Sequence, residues 1–90
     1  MSHTQRDSAK LLARIRRMKG QLEAVERGLE SGAECGETLQ LLASVRGALT
    51  GLTGEIIDHH LREHVVEAPD EQARRRAAEE LSAVLKTYMR

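Results

Sequence analysis

One cysteine and a pair of histidines carry the sharpest chemistry in this sequence. Cys35 is the only cysteine, and His60 and His64 are four residues apart, which places both imidazoles on one face of a helix. A thiolate with several imidazole nitrogens suits a late transition metal, with cobalt, nickel or zinc fitting better than copper(I), which favours more sulfur. His3 adds a third imidazole. Removal of Met1 before the small Ser2 would expose an amine beside it, enough donors for a six-coordinate nickel or cobalt site; a closed zinc site needs only four. Glu34 and Glu63 flank the candidate ligands and could orient an imidazole. His59 points about 100° away from His60 and reads as solvent-facing. The plainer readings stand beside this one. A cysteine near a helix start is often a small buried hydrophobe, and two histidines near a helix end can simply favour the helix dipole.

The elements that must position these groups are long helices. The stretch from Cys35 to His64 has no proline, and Leu42, Val45, Leu49, Leu52 and Ile56 recur at heptad spacing. At about 1.5 Å per residue, Cys35 lies roughly 37 Å from His60 on that rod, so one chain cannot bring them together. A second copy running antiparallel can. A first helix is expected from about Arg6 to Leu29, with Leu11, Ile15, Met18, Leu22, Val25 and Leu29 as its seam, after a short polar lead, MSHTQ. Ser31 and Gly32 end it. The two helices therefore form an antiparallel hairpin that carries His3 toward His60 and His64. Ser44, Ala48 and Gly51 make a narrow ridge on which another backbone could lie close. Pro69 breaks the second helix, and a short third one begins at Pro69 or Asp70, with Ala77, Leu81, Val84, Leu85 and Tyr88 as its apolar side.

Ninety residues with a single aromatic, Tyr88, make one domain, residues 1–90, with too little core for helices of this length. Oligomerisation is the natural remedy. No apolar run reaches the length of a membrane span and no signal-peptide pattern is present, which predicts a cytoplasmic protein with no membrane partner. The formal charge is zero, yet residues 1–32 carry seven basic and four acidic side chains while 33–68 carry two and six. Lys10, Arg14 and Arg17 share one stripe with Gln21, and Arg46 could join them across the hairpin. Such a stripe can neutralise DNA phosphates or can be an ordinary solvated face. There is no helix-turn-helix pattern and no aromatic interleaving, so any DNA contact is to backbone and shape. No motif joins a nucleophile, a base and an oxyanion donor, which argues against an enzyme.

The segments RIRRMKGQLEAVERGLE, ECGETLQLLASVRGALTGLTGEII and HLREH together resemble the CsoR/RcnR family of small metal-responsive repressors, over nearly the whole chain. That resemblance implies an all-α, three-helix subunit. It further implies antiparallel dimers with a four-helix-bundle-like core, paired into a homotetramer, whose apo form holds operator DNA and releases it when ligand binds. The copper branch ends its ligand set on a cysteine where this chain has His64. The formaldehyde branch begins with a proline where this chain has Ser2, and the persulfide branch needs two cysteines. The nickel/cobalt branch has an MSHT-like start and a His, Cys, His, His set, which His3, Cys35, His60 and His64 match. By the same resemblance Lys10, Arg14, Arg17 and Arg46 are DNA contacts, Ni(II) or Co(II) is the effector, and the regulated gene is a metal exporter. An alternative within the fold is a repressor that answers to formaldehyde or another electrophile through Cys35 and the Ser2 amine.

Overall fold

A computed structural model describes the backbone of residues 2–89 and the side chains of residues 8–89. Three α-helices account for most of it: α1 (Ser2–Ser31), α2 (Cys35–His60) and α3 (Glu71–Tyr88). The first helix starts earlier than expected and takes in the polar lead, since nothing in SHTQ stops a helix that the following residues propagate. It ends where glycine permits a left-handed turn. Gly32 has φ 75°, and the Ala33 N–H reaches back to the Gly28 carbonyl at 2.8 Å, closing a Schellman motif. Three residues later α2 begins, and the two helices lie antiparallel.

The hairpin uses only part of each apolar seam. On α1 the residues turned toward α2 are Leu11, Arg14, Met18, Gln21, Val25 and Gly28; on α2 the answering set is Thr38, Leu41, Val45, Ala48 and Leu52. Both follow the alternating three- and four-residue spacing of a helix face. One residue further along each helix turns by about 100°, and in an antiparallel pair that step carries both helices to the same side. There lie Leu12, Ile15, Leu22 and Leu29 of α1 with Leu39, Leu42, Leu49 and Ile56 of α2, all exposed. The expected heptad seams are thus each divided between a face spent inside the hairpin and a face left open. Only Met18, Leu52 and Ala77 are buried among the described residues, and none of them completely. The radius of gyration is 17.3 Å with extents of 55 × 31 × 15 Å, against about 12 Å for a compact chain of this length. The subunit is a slab one helix thick with an uncovered apolar side.

The α-helical path of the second helix stops at His60 rather than running to His64. Leu61–Val66 form a π-helical turn, closed by the Glu67 N–H on the Arg62 carbonyl at 3.0 Å. Pro69 then prevents continuation, because it has no N–H to donate and disfavours helical geometry at Ala68. Asp70 caps α3, its carboxylate accepting the Ala73 N–H at 2.7 Å. From there α3 folds back along α2: Leu81 and Val84 line a recess with Ile56, Ile57 and His60, and Tyr88 lines another with Leu49, Thr50 and Thr53. Arg74 fastens its start to the π turn by donating to the Val65 carbonyl at 3.0 Å. No described helix is long and apolar enough to cross a membrane.

Candidate functional site

The two imidazoles predicted to act together do stand together. The rings of His60 and His64 have centroids 5.2 Å apart, tilted by 52°, on either side of the α-to-π junction. Both line an open recess of about 340 Å³ completed by Pro69, Ala73, Arg76, Ala77 and Glu80, so α3 forms its far wall. The half-buried His60 places Nε2 3.1 Å from the Ala77 carbonyl oxygen. A carbonyl can only accept, so Nε2 carries the hydrogen and a neutral ring keeps its electron pair on Nδ1. The nitrogen left free to donate an electron pair is thereby selected by a backbone group of α3. His64 is exposed, and its Nε2 lies 3.8 Å from a carboxylate oxygen of Glu63, too far for a hydrogen bond.

Cys35 is the first residue of α2, exposed and unbonded to sulfur, at the end of the helix opposite His60. Glu34 precedes it in extended conformation, and its side chain does not cap the helix. His3 and the Ser2 amine lie outside the residues whose side chains are described. Among the described residues no three of His, Cys, Asp and Glu come together in one subunit in a way that would hold a metal. The donor chemistry fits a late transition metal, with two adjacent imidazoles at one end and a thiol at the other. One described subunit supplies only part of such a set. His59, expected in solvent, is half-buried beside Lys10, Gly51, Gly54, Glu55 and Asp58, because the α1-facing stripe of α2 extends to it.

The basic residues divide between two sides. Lys10, Arg14 and Arg17 lie along the side of the hairpin away from the open apolar face, next to Gly47, Gly51 and Gly54. Arg14 and Arg17 share a recess with Gly47, Ala48 and Gly51. Arg46 is elsewhere in the subunit, on the apolar side of α2 with Leu49 and Tyr88. Sequence reasoning missed the partner of Arg14: its guanidinium makes a 2.9 Å ion pair with Glu55 across the hairpin. Gly51 makes room for it, since a Cβ there would lie 3.3 Å from Arg14 Nη1. The ridge expected to admit another backbone admits, at Gly51, an arginine. The available signal was the α1-facing phase of α2, which includes Glu55 along with Ala48 and Leu52.

Comparison with known proteins agrees with this architecture. The sequence profile of the metal-sensitive transcriptional repressors matches residues 7–87. The transcriptional repressor RcnR of Citrobacter koseri is 42% identical over the full length of both chains. A Serratia marcescens protein described only by its place in the bioA 5′ region is 53% identical, again over both full lengths. Among solved structures, a variant of the formaldehyde-responsive regulator FrmR from Salmonella enterica serovar Typhimurium superposes with a TM-score of 0.86 at 40% identity, covering 92% of this chain and 94% of that one. The matching family is one of transcriptional repressors, not enzymes, and the three-helix subunit with its long hairpin is that of the FrmR variant. The chain belongs to the CsoR/RcnR family of metal-sensitive transcriptional repressors.

Proposed function

We propose that this chain, acting as one unit over residues 1–90, is a cytoplasmic repressor that holds operator DNA as apo-protein. Ni(II) or Co(II) releases it, and a metal exporter gene is thereby derepressed. The observation that carries this reading is the pairing of His60 with His64 at one end of α2 while Cys35 sits at the other. About 37 Å of helix separates the two ends, so thiol and imidazoles meet only when a second copy lies antiparallel. In that arrangement Cys35 of one subunit joins His60 and His64 of another, with His3 and the Ser2 amine completing the set. Glu34 and Glu63 would orient ligands, and Zn(II) is a further candidate effector. The open face of Leu12, Ile15, Leu22, Leu29, Leu39, Leu42, Leu49 and Ile56 is where the second copy docks. Pairs of dimers would then make the tetramer. Lys10, Arg14 and Arg17 contact the DNA; Arg46, on the apolar side of α2, does not share their surface in the subunit.

A Co(II) titration followed by absorbance tests the site. The expected result is a thiolate-to-cobalt charge-transfer band that is absent in Cys35→Ala and altered in His60→Ala. An intact band in Cys35→Ala refutes the ligand set. A second reading is favoured by the likeness to the FrmR variant and by the exposure of Cys35. On this reading, formaldehyde acts on Cys35 and the Ser2 amine to release DNA. Fluorescence anisotropy of a promoter duplex with nickel, cobalt, zinc or formaldehyde in parallel decides between them.

A further inference from the structure

The basic side of the hairpin contains an acid whose place is not explained by packing. Arg14 and Glu55 are each about two-fifths exposed, at 38% and 40%, so their 2.9 Å pair is neither buried nor free in solvent. The guanidinium rests against Gly51, at the boundary of two shallow recesses. One recess is lined by Arg14, Arg17, Gly47, Ala48 and Gly51. The other contains Lys10, Gly51, Gly54, Glu55, Asp58 and His59. Asp58 is held by Arg62 of the following π turn at 2.9 Å, and Glu55 is the acid paired with α1.

We infer that Glu55 is a positioning residue for nucleic-acid binding. It latches Arg14 against Gly51 in the DNA-free protein and must surrender or share the guanidinium when a phosphate arrives. The inference rests on the reading of the Lys10, Arg14 and Arg17 side as the DNA surface. A guanidinium has five N–H donors, and the Glu55 carboxylate competes with an incoming phosphate for them. A half-exposed pair is a weak one, so the latch restrains Arg14 without excluding DNA. Removing the charge while keeping the side chain's size therefore strengthens DNA binding. The gain depends on Arg14.

The test is a double-mutant cycle read by fluorescence anisotropy on a labelled duplex from the region upstream of the chain's own gene. Glu55→Gln is expected to bind about three- to fivefold more tightly than wild type, the weight of one half-exposed ion pair. Glu55→Asp keeps the charge and binds nearly as wild type. In an Arg14→Ala background, Glu55→Gln brings no gain, which separates the latch from the general removal of a negative charge. Thermal melts establish that each variant is folded, with Glu55→Ser as a second charge-removing variant. Unchanged affinity of Glu55→Gln, or an equal gain without Arg14, overturns the latch alone. A wild-type protein that leaves the duplex unbound even at low salt overturns the DNA surface, and the latch with it.

Discussion

Replacing Leu49 by alanine should cost the assembly far more than it costs the subunit. Leu49 is 51% exposed at the centre of the open face, so roughly half its surface is still to be covered. Full burial of a leucine contributes about 1.5–3 kcal/mol, so covering the remainder contributes about 1 kcal/mol. In a two-fold interface the residue is lost twice, about 2 kcal/mol in all, or roughly a thirtyfold weaker dimer. The whole face supports the same arithmetic. Its eight apolar side chains, between 37% and 70% exposed, supply about 16 kcal/mol over two copies, against an association cost of about 4–15 kcal/mol. Sedimentation velocity over a concentration series measures the dissociation constant, and far-UV circular dichroism monitors the helices. Leu49→Ala should dissociate at about thirtyfold higher concentration with its helicity kept, and Leu49→Asp should be monomeric. A wild type that sediments as a monomer at tens of micromolar, or a Leu49→Ala dimer as tight as wild type, would refute the assignment of this face.

Other expectations concern parts of the fold that can be changed singly. Asp70→Ala removes the cap that accepts the Ala73 N–H; loss of about 1 kcal/mol in chemical denaturation is expected, with early exchange of amides in the first turn of α3. Gly32→Ala forces a Cβ into φ 75° and should destabilise the subunit by about 1–2 kcal/mol, seen as a lower midpoint in urea. Arg17→Ala should reduce the slope of log K against log salt for DNA binding by about 0.9 if one phosphate contact is lost. An unchanged slope would remove Arg17 from the interface.

Much of the fold is written in periodicity. The two long helices, the turn at Gly32, the break at Pro69 and the shortage of core all follow from apolar spacing, glycine and proline, and chain length. The division of each seam does not. Leu11 and Ile15 are equally apolar and both satisfy a heptad, yet one is half-buried in the hairpin and the other is open, because the phase between antiparallel helices decides it. The π turn is hidden for a related reason. LREHVV has no residue that excludes an α-helix; the turn is sustained by contacts from α3, such as Arg74 on the Val65 carbonyl, that are distant in sequence. His60 and His64 were legible as a pair from their spacing. The Ala77 carbonyl that selects a nitrogen of His60 was not, since a backbone acceptor leaves no mark in the side-chain pattern.

The same division of faces bears on how a ligand at one end of α2 can act on DNA at a distance. The hairpin has an open apolar side and a side with Lys10, Arg14 and Arg17 set among glycines. A subunit this thin, with three buried residues among those described, has little internal packing through which to transmit strain. What the proposed assembly can change is the placement of one copy against its neighbour, because the open apolar side would be covered there. On the proposed reading, a metal that joins Cys35 of one copy to His60 and His64 of another acts on that placement directly. Phosphate contacts on the outer sides then shift as rigid units. Their spacing, set by the assembly, is what operator DNA reads. Substitutions on the apolar face that leave the dimer intact should therefore alter DNA release more than substitutions inside the hairpin at equal cost in stability. Leu42→Ile against Val45→Ala, compared by anisotropy with and without Ni(II), makes that distinction. Equal coupling in both would place the transmission within the subunit instead.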